Sequence, residues 1–141
     1  MTTLYKNNVK LKELLIKHEG FRTRPYSDTV GKLTIGVGRN LTDCGLSKDE
    51  VYLLLENDIR KVLVELDFYF PWFGKLSENR QIALMDMCFN LGINRFRKFK
   101  NMIMYLVMDD FENASKEMLN SKWAQQVGGR AVELAEMIRN G

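Results

Sequence analysis

Helical spacing over most of the chain, interrupted once by a stretch rich in glycine and threonine, predicts an α+β fold, mainly helical with a small β lobe. Two observations carry this. Apolar residues recur at three- and four-residue steps near the start of the chain and again from Val51 onward, whereas the stretch between them holds five of the ten glycines, Gly20, Gly31, Gly36, Gly38 and Gly45. At 141 residues the chain has the size of one domain, able to bury about two thirds of its unfolded surface without staples. A β-rich piece of about 20 residues cannot bury a core alone and has to lean on helices.

The elements follow in order. Leu11, Leu14, Leu15 and His18 share one face of a first helix, and Gly20 is its natural stop. "RTRPYSDTVGKLTIGVGRNLTDCG" reads as short strands joined by turns, with Thr29 to Lys32 turning the first pair. A three-residue loop, Val30 to Lys32, with Gly31 at positive φ sets Asp28 directly opposite Thr34. Helices resume at "SKDE", a capping box with Ser47 as N-cap and Glu50 reaching back, ahead of the amphipathic run "VYLLLENDIRKVLVEL". "FYFPWFGKL" breaks that run at Pro71 and Gly74; its aromatics Phe68, Phe70, Trp72 and Phe73 are read as core rather than as a sugar-stacking platform. Ser77 then caps "ENRQIALMDMCFNL", closed by Gly92. "FKNMIMYLVM", "DFENASKEMLN", "SKWAQQV" and "GRAVELAEMIRN" complete the helices. With no repeat or linker, the chain is read as one domain over 1–141, with a β-rich sub-lobe at about 21–45 and a helical sub-lobe of 1–20 and 46–141.

Composition removes several classes of function. A net charge of +3 helps approach to an anionic polymer without naming one, and a nucleic-acid binder would carry a denser basic stripe. Two cysteines, Cys44 and Cys88, are read as small buried residues, and a single histidine, His18, makes no zinc constellation, so no metal is expected. On its apolar face His18 is read as a packed residue before a catalytic one. "MTTLYKNNVKLKELL" has no apolar h-region or cleavage site, and no stretch approaches the roughly 20 apolar residues of a membrane span. The expectation is synthesis in the cytoplasm without a signal peptide and no membrane insertion.

Two carboxylates stand out. Leu11, Leu15 and Glu19 lie at steps of four, so Glu19 continues an apolar stripe and is expected to face the core or a cleft wall. Desolvation and the negative end of the helix dipole there both disfavour the ionised form, which leaves an acid able to donate a proton. Asp28 follows nine residues later, beside the turn, where with Thr34 it can hold a water. Each has a structural alternative: Glu19 as a frayed helix end or an arginine's partner, Asp28 as a turn-starting residue.

The string "HEGFRTRPYSDTVGKLTIGVGRNLT" resembles the catalytic segment of the phage-type, T-even-like lysozymes. In that family a Glu before Gly, an Asp nine residues on and a Thr six beyond it form the catalytic group, and Glu19, Asp28 and Thr34 match all three. "DMCFNLG" is similar to the family's cleft-lining helix, with Phe89 and Asn90 at matching positions, and "SKWAQQVGGRAVELA" resembles its Trp-containing C-terminal segment. "GVGRNLTDCGLS" is closer to the prophage-encoded endolysin branch, the T-even enzyme having a histidine where Arg39 stands. The resemblance implies substrate-binding roles for Asn40, Phe89, Asn90, Trp123 and Arg130, and a pairing of Arg130 with Glu19.

What it implies chemically is a peptidoglycan hydrolase cleaving the β-1,4 bond between N-acetylmuramic acid and N-acetylglucosamine, in a cleft between two lobes. Chitin is a secondary candidate substrate. Glycoside hydrolysis needs an acid for the leaving oxygen and a second carboxylate across the sugar. An inverting enzyme would use Glu19 as acid and Asp28 as base, with Thr34 placing the water, and would separate the two carboxyl groups by about 6.5–9.5 Å. No cofactor is required. The implied partners are glycan strands, with the protein a monomer released to the wall or periplasm by a holin or a secretion system. The rivals are a wall-binding module that has lost activity and a basic helical nucleic-acid binder; the intact trio argues against the first and the weak charge against the second.

Overall fold

The computed structural model describes residues 8–141, and residues 1–7 of the expected helical sub-lobe lie outside the described residues. These fall into two compact units, one ending at Tyr52 and the other spanning Leu53–Gly141.

The first unit opens with helix α1, Val9–Glu19. The Asn8 side chain accepts from the Leu11 amide at 2.8 Å, and Gly20, at φ 86°, closes the last turn on the Ile16 carbonyl. Three strands follow, β1 (Arg22–Ser27), β2 (Leu33–Gly36) and β3 (Arg39–Asn40), antiparallel in the order β1-β2-β3. β1 is an edge strand whose register shifts between Arg22 and Tyr26. Pro25, which has no N–H to give a ladder, lies within that irregular stretch. One turn of helix, α2 (Leu41–Cys44), is capped by Asn40, whose Oδ1 accepts from the Asp43 amide. The sheet buries Thr34 and leaves Leu33 and Val30 exposed, as expected of a sheet too small to own a core.

The predicted capping box at Ser47 is present in both directions. The Glu50 amide donates to Ser47 Oγ and the Ser47 amide to Glu50 Oε1, starting the 22-residue helix α3, Lys48–Tyr69. Pro71 ends it as expected, and a 3-10 turn, Phe73–Lys75, leads to helix α4, Glu78–Leu91, capped by Ser77 and stopped by Gly92. Helices α5 (Ile93–Phe96), α6 (Lys100–Val107), α7 (Phe111–Leu119), α8 (Lys122–Val127) and α9 (Gly129–Asn140) follow. α9 packs on α7 and α4, and α6 on α7. Ala83, Leu84, Met87, Cys88 and Leu91 form one stripe of α4 in the centre of this core, with Phe96 and Ile138 against it. Among the described residues no helix is long and apolar enough to cross a membrane.

Several expectations are corrected. Cys44 is exposed while Cys88 is buried, because Cys44 ends a surface turn of helix. Phe70 and Phe73 are core and Trp72 packs against it, but Phe68 is 76 % exposed, since consecutive residues of a helix cannot all face one side. His18 is exposed rather than packed, as α1 has no buried residue. α2 and α5 were not anticipated, one turn of helix being too short to show a period.

Candidate active site

The hairpin between β1 and β2 sets the geometry around Asp28. Its three-residue loop lies one residue earlier than the spacing suggested: the Asp28 amide donates to the Lys32 carbonyl at 2.9 Å, so the loop is Thr29 to Gly31. Gly31 takes φ 83°, the left-handed conformation that a side chain disfavours. The expected pairing of Asp28 with Thr34 is therefore corrected; Thr34 pairs with Tyr26 and Leu33 with Ser27. The slip is by an even number of residues, so it leaves Asp28 and Thr34 on the same side of the ribbon, as diagonal neighbours.

Both residues are held by the backbone of Lys32, Asp28 through its N–H and Thr34 through its C=O. Asp28 Oδ1 accepts from the Lys32 amide at 2.8 Å and from the Val30 amide at 2.9 Å, while the Thr34 hydroxyl donates to the Lys32 carbonyl at 3.1 Å. Both bonds to Asp28 fall on Oδ1, and among the described residues Oδ2 takes none. Thr34 is buried at 4 % exposure with its oxygen lone pairs still able to accept. A half-buried carboxylate with one oxygen tied down and one free, beside a fixed hydroxyl, can orient a water and take its proton.

Glu19 is the last residue of α1, in the same unit. Of the two places expected for it, the core and a cleft wall, the first is corrected: it is exposed, and Leu11 and Leu15 on its stripe are 39 % and 44 % exposed. Its side chain lies instead along the backbone of Gly38, in the turn between β2 and β3. Sequence reasoning did not single out Gly38; its signal was the second glycine of "GVG". Asn40 is paired with Thr34 across the sheet, and its amide is committed to Asp43, accepting from the backbone and donating to Oδ2 at 2.9 Å. Arg39 donates to Glu50 at 2.8 Å and to the Gly45 carbonyl. That guanidinium, with the Ser47 amide and hydroxyl, holds the Glu50 carboxyl down at about 2.

The second unit carries the remaining candidates. The indole N–H of Trp123, a residue only 3 % exposed, donates to Asn90 Oδ1 at 2.9 Å. Phe89 and Arg130 border an open apolar groove of about 510 Å³, floored by Ile59, Val62, Ile82 and Met85. The ion partner of Arg130 is Asp86 at 2.7 Å, where the resemblance implied Glu19; Asp86 faces it from the neighbouring helix of the same unit. Among the described residues no group of three or more His, Cys, Asp or Glu side chains is placed to hold a metal ion.

Residues 16–139 match the phage lysozyme family, the span that holds the trio and all the candidates of the second unit. The chain belongs to the phage lysozyme family. This lysozyme is thus a glycoside hydrolase of the peptidoglycan-lysing class. It is 26 % identical to two proteins of Dictyostelium discoideum named "Probable T4-type lysozyme 2" and "Probable T4-type lysozyme 1", over 93 % of this chain and 94 % of each of theirs. It is also 28 % identical, over 95 % of its own length, to the "Pre-baseplate central spike protein Gp5" of Enterobacteria phage T4, of which the lysozyme spans 28 %.

Proposed function

We propose that this lysozyme cleaves the β-1,4 bond between N-acetylmuramic acid and N-acetylglucosamine with inversion. Glu19 protonates the leaving oxygen, Asp28 takes a proton from the attacking water, and Thr34 orients that water. The observation that supports this most is the shared backbone of Lys32: its N–H fixes Asp28 through Oδ1 and leaves Oδ2 for the water, and its C=O holds the Thr34 hydroxyl. Inversion requires room for water between the two carboxyl groups, about 6.5–9.5 Å, whereas a covalent route would need about 5 Å. Asn40, Phe89, Asn90, Trp123 and Arg130 are proposed as glycan contacts, and of these Phe89 and Asn90 have exposed side chains to offer. The reading includes action as a monomer on the wall or periplasm after release by a holin or secretion system.

The test is clearance of chloroform-permeabilised Gram-negative cell walls, with new reducing ends counted in parallel and the first-formed anomer followed by proton NMR. Wild type releases ends as the inverted α-anomer, and Glu19→Gln loses at least about 10²-fold in rate while melting normally. A first-formed β-anomer overturns inversion. Wall binding with no ends released by either protein transfers the reading to a binding module.

A further inference from the structure

We infer that Gly38 is a positioning residue for the Glu19 carboxyl group, an inference that rests on Glu19 being the general acid. Gly38 sits in the turn between β2 and β3 at φ 69°, and a Cβ built on it meets Glu19 Oε2 at 2.7 Å, Cδ at 3.1 Å and Cβ at 3.3 Å. Three points of the Glu19 side chain thus lie on the bare Cα face of this one residue. Otherwise the carboxyl has little to hold it. Glu19 is exposed at the end of its helix, and among the described residues of its own unit no hydrogen bond or ion pair reaches it. A long, exposed side chain with three rotatable bonds delivers a proton in one direction only if something removes its other rotamers. The glycine face does so from one side, and any side chain there would occupy the place that Oε2 now has.

The last residue of β2 supplies a control. Gly36 takes φ 71°, within two degrees of Gly38, and a Cβ built there has nothing within 4 Å. Alanine at either position forces the same left-handed strain on the backbone, but only at Gly38 does the methyl group strike the carboxyl. Strain and displacement of Glu19 are therefore separable in one pair of variants.

The experiment measures kcat, KM and the pH profile of reducing-end release for wild type, Gly38→Ala, Gly36→Ala and Glu19→Gln, with each melting temperature. A displacement of the acid by about 1 Å costs up to about 10²-fold. The expected result is a fall in kcat of about 10–10²-fold in Gly38→Ala, with KM held within about twofold and the alkaline limb of the profile moved. Gly36→Ala is expected to match Gly38→Ala in melting temperature and wild type in kcat and limb. Equal kcat in the two alanine variants overturns the inference while leaving the acid assignment intact. Full activity in Glu19→Gln overturns both together. If alanine prevents folding, Gly38→Asn and Gly36→Asn repeat the comparison, because asparagine tolerates the left-handed region and still brings a Cβ.

Discussion

Removing the Asn90 side chain tests whether the Asn90–Trp123 pair holds the second unit together, independently of any sugar. Trp123 is 3 % exposed and its indole N–H gives its hydrogen bond to Asn90 Oδ1 at 2.9 Å. Truncation to alanine leaves a donor without its acceptor, at a cost of about 1–3 kcal/mol. Two effects reduce it. Asn90 is itself exposed, so water reaches the freed N–H and holds the loss to about the middle of that range or below. Asn90 also lies in α4, where alanine returns up to about 0.7 kcal/mol of helix propensity. The net loss is about 1 kcal/mol, or about 3 °C in melting temperature for a chain of this size. A double-mutant cycle with Trp123→Phe cancels the propensity gain, which occurs in both backgrounds, and isolates a coupling of about 1.5 kcal/mol. Urea or thermal denaturation of the four proteins supplies the numbers. Additivity within about 0.3 kcal/mol refutes the reasoning and leaves Asn90 to be explained by glycan binding alone.

Two further predictions concern titratable groups. Glu50, bonded first by Arg39 and then by Ser47, sits at about 2 against an ordinary 4.5. A lowered carboxylate stabilises the fold above its unfolded value and stops doing so as pH falls through its folded one, so the contribution disappears between about 4.5 and about 2. Denaturant midpoints taken across that window fall further in wild type than in Glu50→Gln, by a small amount because the pair is exposed to screening; equal slopes would rule this out. Burial, with Glu65 adding to it, pushes the Cys88 thiol up to about 11, whereas Cys44 is exposed. An aromatic disulfide reagent at pH 8 therefore titrates one thiol in the native protein and two in denaturant, and rapid labelling of both in the native state would contradict the packing.

The sequence by itself determined the features whose causes lie within a few residues. Helix starts at Ser47 and Ser77, stops at Gly20 and Gly92, and the break at Pro71 follow from caps and missing donors three or four positions away. The proposed trio of Glu19, Asp28 and Thr34 came from the resemblance of "HEGFRTRPYSDTVGKLT" to the catalytic segment of the phage-type lysozymes, since for the residues alone the structural alternatives weigh more. Tertiary structure decided what depends on two segments meeting. The hairpin set Asp28 opposite Lys32 rather than the expected Thr34 because the Asp28 amide found the Lys32 carbonyl, a choice that glycine placement alone leaves open. Arg130 found Asp86 at a separation of 44 residues and Trp123 found Asn90 at 33, distances over which no periodicity speaks. The contact of Glu19 with Gly38 is of the same kind. A glycine announces a possible backbone conformation, but only packing reveals which side chain uses the space where its Cβ would have been.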